Sequence, residues 1–269
     1  MPDTRRILLE PKKRNRGRGL PRLLVRGCRR VFRKGFRDTA RTAWFLFYEW
    51  NRERRLGICT ARREDHDVQM PHPCFVHYEP ISYTCLDHAL ARLKIRPGVD
   101  VLLDYGSGMG RAVAVASTHP FRRVIGIDLL PELNVIAAEN LRRLRARQCA
   151  EVEFVTADAT TWPVPSDVTV ILMFNPFTGP MLGLVIEQIC DSLRRVPRKL
   201  SILYLYPISQ ENLFDKCPWL TTVAILPTGI WKEVQFVHYE TVPLEILQKM
   251  CESTSVPLRL DSSHEAPSP

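Results

Sequence analysis

The residues of this sequence best suited to chemistry stand at the ends of apolar runs. Val101–Leu103 leads into Asp104, glycines follow at every second position (Gly106, Gly108, Gly110) with Ser107 between the first two, and a helix-period run begins at Arg111. The pattern predicts a buried strand, a glycine turn and a helix. Glycines at this spacing let a ligand press against the main chain, while the helix start points unsatisfied N–H groups into the same space. A polar ligand is expected there. A dinucleotide loop reads G-x-G-x-x-G, whereas this one reads D-x-G-x-G-x-G, and its acid would repel a pyrophosphate and attract an ammonium group. A second apolar strand, within VIGIDLLPEL at 124–133, ends on Asp128. A carboxylate at that tip suits a bidentate grip on two ribose hydroxyls.

Placing these groups side by side requires a parallel sheet, and the rest of the pattern supplies one. After the glycine loop come a strand at 123–127, a helix at 131–147 opened by a proline, and a strand at 152–156 followed by Asp158 and Ala159. A wholly apolar strand at 168–174, buried on both faces, runs straight into Asn175, Pro176 and Phe177. Then follow a helix at 181–193, a strand at 200–207, a short helix at 209–214, and two apolar segments at 221–226 and 233–240 that form an antiparallel hairpin. Upstream, a helix at 83–93 stops at Arg96-Pro97-Gly98, with Tyr78 and Tyr83 as lid aromatics or packing residues. The expected fold class is α/β, with a Rossmann-like, seven-stranded, mostly parallel sheet closed by a C-terminal antiparallel hairpin and preceded by a basic helical extension.

The loop and the acidic tip at Asp128 resemble those of the class I S-adenosylmethionine (SAM) methyltransferases. Over residues 80–242, the glycine loop, HPFRRVIGIDLLPELNVIAAENL, FNPF and SLRRVPRKLSILY resemble a family of largely uncharacterised bacterial class I enzymes. A looser likeness is to class I histone-lysine methyltransferases, which share the D-x-G-S-G-x-G loop and an asparagine after the fourth strand. The resemblance implies SAM as cofactor, with Asp104, Gly106, Ser107, Gly108 and Gly110 holding its methionine moiety and Asp128 its ribose. It also implies Asp158 near the adenine amino group, with the Ala159 N–H facing the ring. Asn175, Pro176 and Phe177 are then the catalytic set: the amide oxygen and a backbone carbonyl accept hydrogens from a target nitrogen, and the ring packs beside the acceptor. Such enzymes usually carry two prolines here, and this chain has one. The plainer alternatives are Asp158 as a turn cap and Asn-Pro as a turn former. The acceptor implied is an amine nitrogen, protein lysine first, with RNA or a small amine as other candidates. The alternative function is a nucleic-acid- or membrane-surface-binding protein with a SAM-binding or degenerate methyltransferase domain.

A chain of 269 residues, 45% hydrophobic, can bury one substantial core. Its net charge of +9 is unevenly distributed: residues 1–55 hold 18 Lys and Arg against 5 Asp and Glu, and the remainder 20 against 24. This divides the chain into a disordered basic arm (1–22), a basic and aromatic helical extension with its connector (23–82), the methyltransferase domain (83–251) and a disordered tail (252–269). The arm over 1–55 suits an anionic partner, a nucleic acid or a membrane surface. An organelle transit segment is disfavoured by Asp3 and Glu10. Eight cysteines without a C-x-x-C pair read as reduced thiols of a cytoplasmic protein, peripheral at a membrane where the arm binds one. No apolar run approaches the ~20 residues that span a bilayer. Cys59, His66, His72, Cys74, His77, Cys85 and His88 fit no zinc knuckle or ribbon spacing, so no metal is expected.

Overall fold

The computed structural model describes residues 36–60, 80–177, 179–228 and 232–252. The basic arm, the extension up to residue 35, Tyr78, most of the connector with its His66, His72, Cys74 and His77, and the tail beyond Glu252 lie outside them. Helix α1 spans Phe36–Leu56, and the chain divides into two compact units at Tyr48/Glu49. In the first unit the rings of Trp44 and Phe47 lie 6.1 Å apart. The second unit, from Glu49 onward, carries the sheet.

That unit runs α2 (Tyr83–Arg92), β1 (Val101–Tyr105), α3 (Arg111–Ala116), β2 (Arg123–Asp128), α4 (Pro131–Arg143), β3 (Glu151–Thr156), β4 (Val170–Phe174), α5 (Pro180–Arg195), β5 (Ser201–Pro207), a 3-10 turn (Leu213–Lys216), β6 (Leu220–Leu226), β7 (Val234–Thr241) and α6 (Leu244–Glu252). The strand order is β3-β2-β1-β4-β5-β7-β6. The first five strands are parallel, and β7 runs antiparallel to both β5 and β6. This is the Rossmann-like sheet of the class I methyltransferase fold. The chain leaves β1 toward one edge and returns to β4 toward the other, so the sheet has its switch point between β1 and β4. Ligands of open α/β sheets sit in the crevice at the carboxyl ends of the strands flanking such a point.

Side chains alternate across each strand. One face sends Val101, Leu103, Tyr105, Ile171, Met173, Ile202 and Tyr204 into a core with α5, whose Leu182, Val185, Ile186, Ile189 and Leu193 fall at helical spacing. Each such side chain contributes about 1.5–3 kcal/mol on burial. The other face carries Leu102, Asp104, Val170, Leu172 and Leu203 beneath α2 and α3, all buried.

Several boundaries differ from the sequence reading. Helix α1 continues to Leu56, into the expected connector, and ends at Gly57, where φ is +77° and the N–H bonds back to Glu53 O at 3.0 Å. Helix α4 stops at Arg143 rather than 147, because Arg145 N–H donates to Leu56 O at 3.0 Å and Ala146 takes φ +63°. The helix expected at 209–214 is a 3-10 turn a few residues later, Leu213–Lys216, capped by Asn212 Oδ1 accepting from Phe214 N. Helix α6 was not anticipated, and it buries Leu247 in the core. No helix among the described residues is long and apolar enough to cross a membrane.

Candidate functional site

The loop after β1 bends back onto β2. Gly106 and Ser107 donate their N–H groups to Ile127 O at 2.9 and 3.0 Å, and Gly110 N–H closes a turn on Ser107 O at 2.8 Å. Two glycines are required by contacts as well as by their positive φ. A Cβ on Gly106 would stand 2.6 Å from Pro176 Cβ, and one on Gly110 would stand 2.9 Å from Ala137 Cβ on α4. The first contact joins two motifs 70 residues apart in sequence: the segment after β4 presses on the glycine loop, which brings Asn175 to the switch point.

Acceptors predominate at this end of the sheet. Asp104 is only 3% exposed. Burial first, and then the Asp128 charge, push its carboxyl well above the usual range, and no cation among the described residues opposes them. Asp128 is raised by burial too, although its oxygens accept from Gly108 N at 2.8 Å and Leu130 N at 2.9 Å. Ser107 Oγ and Asn175 Oδ1 are buried and lack partners. Asn175 holds φ +42°, a left-handed backbone that a non-glycine residue adopts at a cost of roughly 1–3 kcal/mol, often at functional sites.

The remaining expected residues sit differently. Asp158 Oδ1 accepts from its own turn, from Thr160 N at 2.9 Å and Thr160 Oγ1 at 2.7 Å, so it caps that turn. Ala157 N–H reaches Asp128 O at 3.1 Å, which keeps this segment beside the β2 tip. Ala159 belongs to the core cluster. Phe177 is 4% exposed and meets Tyr105 edge-on with centroids 6.0 Å apart, so its ring faces the core. Tyr83 is fully buried under a guanidinium and therefore packs instead of forming a lid.

Two supporting residues escaped the sequence reading. Arg111 opens α3 directly after the loop. Its guanidinium donates to Thr60 Oγ1 at 2.7 Å, to Ile81 O at 3.0 Å and to Glu49 at 3.3 Å, and lies 4.5 Å over the Tyr83 ring. Asn140 on α4 donates to Met109 O at 2.9 Å and Cys59 O at 3.1 Å, and accepts from Cys59 N at 2.9 Å. Together they tie the loop to residues 49–60. The available signal was a charge at the head of the otherwise apolar RAVAVA and an amide on the buried side of α4.

These residues fit SAM. Its ammonium, ribose hydroxyls and adenine amino group are donors, and the site offers carboxylates, an amide oxygen and a hydroxyl as acceptors. The uncompensated charge of Asp104 suits a cationic ligand. When bound, SAM supplies a methyl group activated by its sulfonium.

Residues 102–196 match a family described as a methyltransferase domain. No curated protein matches the chain. Among solved structures, the chain is similar to an RNA methyltransferase from Salinibacter ruber in complex with S-adenosylhomocysteine (21% identity, 61% of this chain and 97% of that one, TM-score 0.42). It is also similar to a SAM-dependent methyltransferase from Aquifex aeolicus (18% identity, 58% and 89%, TM-score 0.44). A third likeness is to magnesium protoporphyrin IX methyltransferase from Synechocystis PCC 6803 with bound SAH (13% identity, 59% and 80%, TM-score 0.45). The domain match and the sheet topology together make this a SAM-dependent methyltransferase domain.

Proposed function

We propose that this SAM-dependent methyltransferase delivers its methyl group to an amine nitrogen, with a protein lysine as the acceptor. The observation that carries the reading is the amide of Asn175: it follows β4 at the switch point, and its Oδ1 is buried with no donor to satisfy it. Leaving a buried acceptor unmet costs about 1–3 kcal/mol. An N–H of a neutral amine would meet it and orient the nitrogen lone pair toward the activated methyl. Methyl transfer from a sulfonium disperses charge, so positioning and exclusion of water can supply most of the acceleration.

The test is transfer of labelled methyl from SAM to protein substrates, with the modified atom identified by mass spectrometry. Methyl-lysine as product, and Asn175→Ala lowering kcat about 10–100-fold with SAM affinity kept within twofold, supports the reading. Methyl groups found only on oxygen or on nucleobases, or an Asn175→Ala variant with unchanged turnover, overturns it. The basic stretch of residues 1–55, with 18 Lys and Arg against 5 Asp and Glu, is the part that would bring an anionic partner to the enzyme, in the cytoplasm or at a membrane surface. A log-linear loss of binding with salt measures that contribution.

A further inference from the structure

The opposite pole of the sheet holds a cavity that shares no residue with the glycine loop or the segment after β4. It lies where β1, β4 and β5 begin, between the segment after α2 and the outer strands β6 and β7, and has a volume of about 620 Å³. That is the size range of small-molecule sites, roughly 300–1,000 Å³. Its walls include Leu93, Ile95, Val170 and Val223. On its floor stands His238, 4% exposed, on the same sheet face as Leu203 with which it pairs.

His238 Nε2 is buried without a hydrogen-bond partner, and the nearest carboxylate, Glu240, is 4.0 Å away, beyond hydrogen-bond reach. The charges at the cavity divide into two kinds. Arg96 is taken by Asp100 at 2.6 Å, and Lys199 by Glu240 at 2.8 Å. Arg92 and Lys94 line the same cavity and have no ion pair among the described residues, so the rim carries two unpaired cations. Burial holds the imidazole below its usual value. Glu240 opposes that effect, and the Lys199 and Arg92 charges add to it.

We propose that this cavity is a second ligand site that takes a small organic anion with an apolar body. The anionic group sits between Arg92 and Lys94, and a polar group on the body meets His238 Nε2. The cavity shares no residue with the glycine-loop end, so ligand binding there is independent of the methyl acceptor.

The experiment is a fluorescence titration of the full chain with 8-anilinonaphthalene-1-sulfonate, an aromatic sulfonate of suitable size, with and without saturating S-adenosylhomocysteine. The expected result is one saturable site that S-adenosylhomocysteine does not displace. Its Kd should rise at least tenfold in an Arg92→Glu/Lys94→Glu double variant, whose changes lie on exposed residues and leave the thermal melt intact. The uncharged analogue N-phenyl-1-naphthylamine should bind at least tenfold more weakly. Unchanged affinity in the folded double variant, displacement by S-adenosylhomocysteine, or equal binding of the uncharged analogue would each overturn the proposal. His238→Gln, which keeps a polar tip, adds a check on the floor: unchanged sulfonate affinity in that variant removes the imidazole from the site.

Discussion

Two aspartates four residues apart mark the two poles of β1, and their environments are opposite. Asp100, before the strand, is 6% exposed, and Asp104, near its end, is 3% exposed. Burial opposes charge on both. At Asp100 that penalty is outweighed: Arg96 donates through its side chain at 2.6 and 3.2 Å and its backbone at 2.7 Å, Thr169 Oγ1 donates at 2.9 Å, and the carboxyl is held below its ordinary value. At Asp104 nothing offsets it, Asp128 adds a like charge, and the carboxyl is driven well up. Both are shielded from solvent, but Asp104 is the more deeply enclosed, and only Asp100 has donors to offset its burial. One carboxylate fastens the turn before β1 to β4, and the other stands without a counter-charge beside the glycine loop.

The comparison would fail if Arg111, at the head of α3, were the counter-ion of Asp104. Its side chain is 9% exposed and committed to Glu49 and, at 3.8 Å, Glu53. Glu49 is itself raised by burial, against the hydrogen bonds and the Arg111 charge that lower it. Arg111→Ala is expected to destabilise the fold by about 3 kcal/mol, because it removes the cation that the half-buried Glu49 and Glu53 share. Chemical denaturation measures this. The Asp104 titration, followed by carboxyl NMR, should stay where it is; a large further rise there would make Arg111 its partner after all.

Next in size are the paired neutralisations. Asp104→Asn should weaken SAM binding roughly tenfold to a hundredfold, about 1.5–3 kcal/mol for a hydrogen bond to a charged group. The same change should stabilise the ligand-free chain by on the order of 1 kcal/mol. Asp100→Asn should do the reverse, costing about 1–3 kcal/mol of stability with SAM affinity retained. Calorimetric titration and thermal melts on both variants decide it, and the contrast is lost if the two shift in the same direction.

The two groups also give pH dependences of opposite sign. Asp104 is raised on folding, so its contribution is full below the unfolded value, near pH 4, and is lost as pH rises through its folded value. Asp100 is lowered, so its contribution is present above the unfolded value and lost as pH falls through its folded value. In the ligand-free chain, Asp104→Asn should therefore gain over wild type as pH rises from about 4, whereas Asp100→Asn should lose against wild type below that, as pH rises from the folded value of Asp100 to about 4. Because a bound ammonium favours the charged carboxylate, SAM affinity should fall as pH drops below the folded value of Asp104, with proton release on binding within that window. Calorimetry in buffers of different ionisation heat detects the proton.

The smallest effect is expected at Asp167, a surface carboxylate whose side chain is 39% exposed and which pairs with Arg122 and Arg123. Asp167→Asn should cost no more than about 1 kcal/mol, and less in high salt. A larger cost would mean that partners alone, without burial, set the energetics of the first comparison.

Much of this was determined by the sequence alone. Apolar runs of strand length, glycines at every second position and helix-period segments specify their own local conformation, and the alternation of strand and helix leaves few topologies for a parallel sheet. For that reason the sequence alone places Asp104, the glycine loop, Asp128 and Asn175 at neighbouring strand ends. Residues whose roles depend on distant partners carried no such local signal. Nothing around Arg111 announces Glu49, Thr60 and Ile81, and nothing around Asn140 announces Met109 and Cys59. Asp158 and Phe177 occupy the expected strand ends, but hydrogen bonding to Thr160 and packing against Tyr105 direct their side chains. Only the tertiary structure brings Arg92, Lys94 and His238 to one cavity, from the end of α2 and from β7. Periodicity records which face of an element is buried, whereas charge partners and cavities are set by which elements the fold makes neighbours.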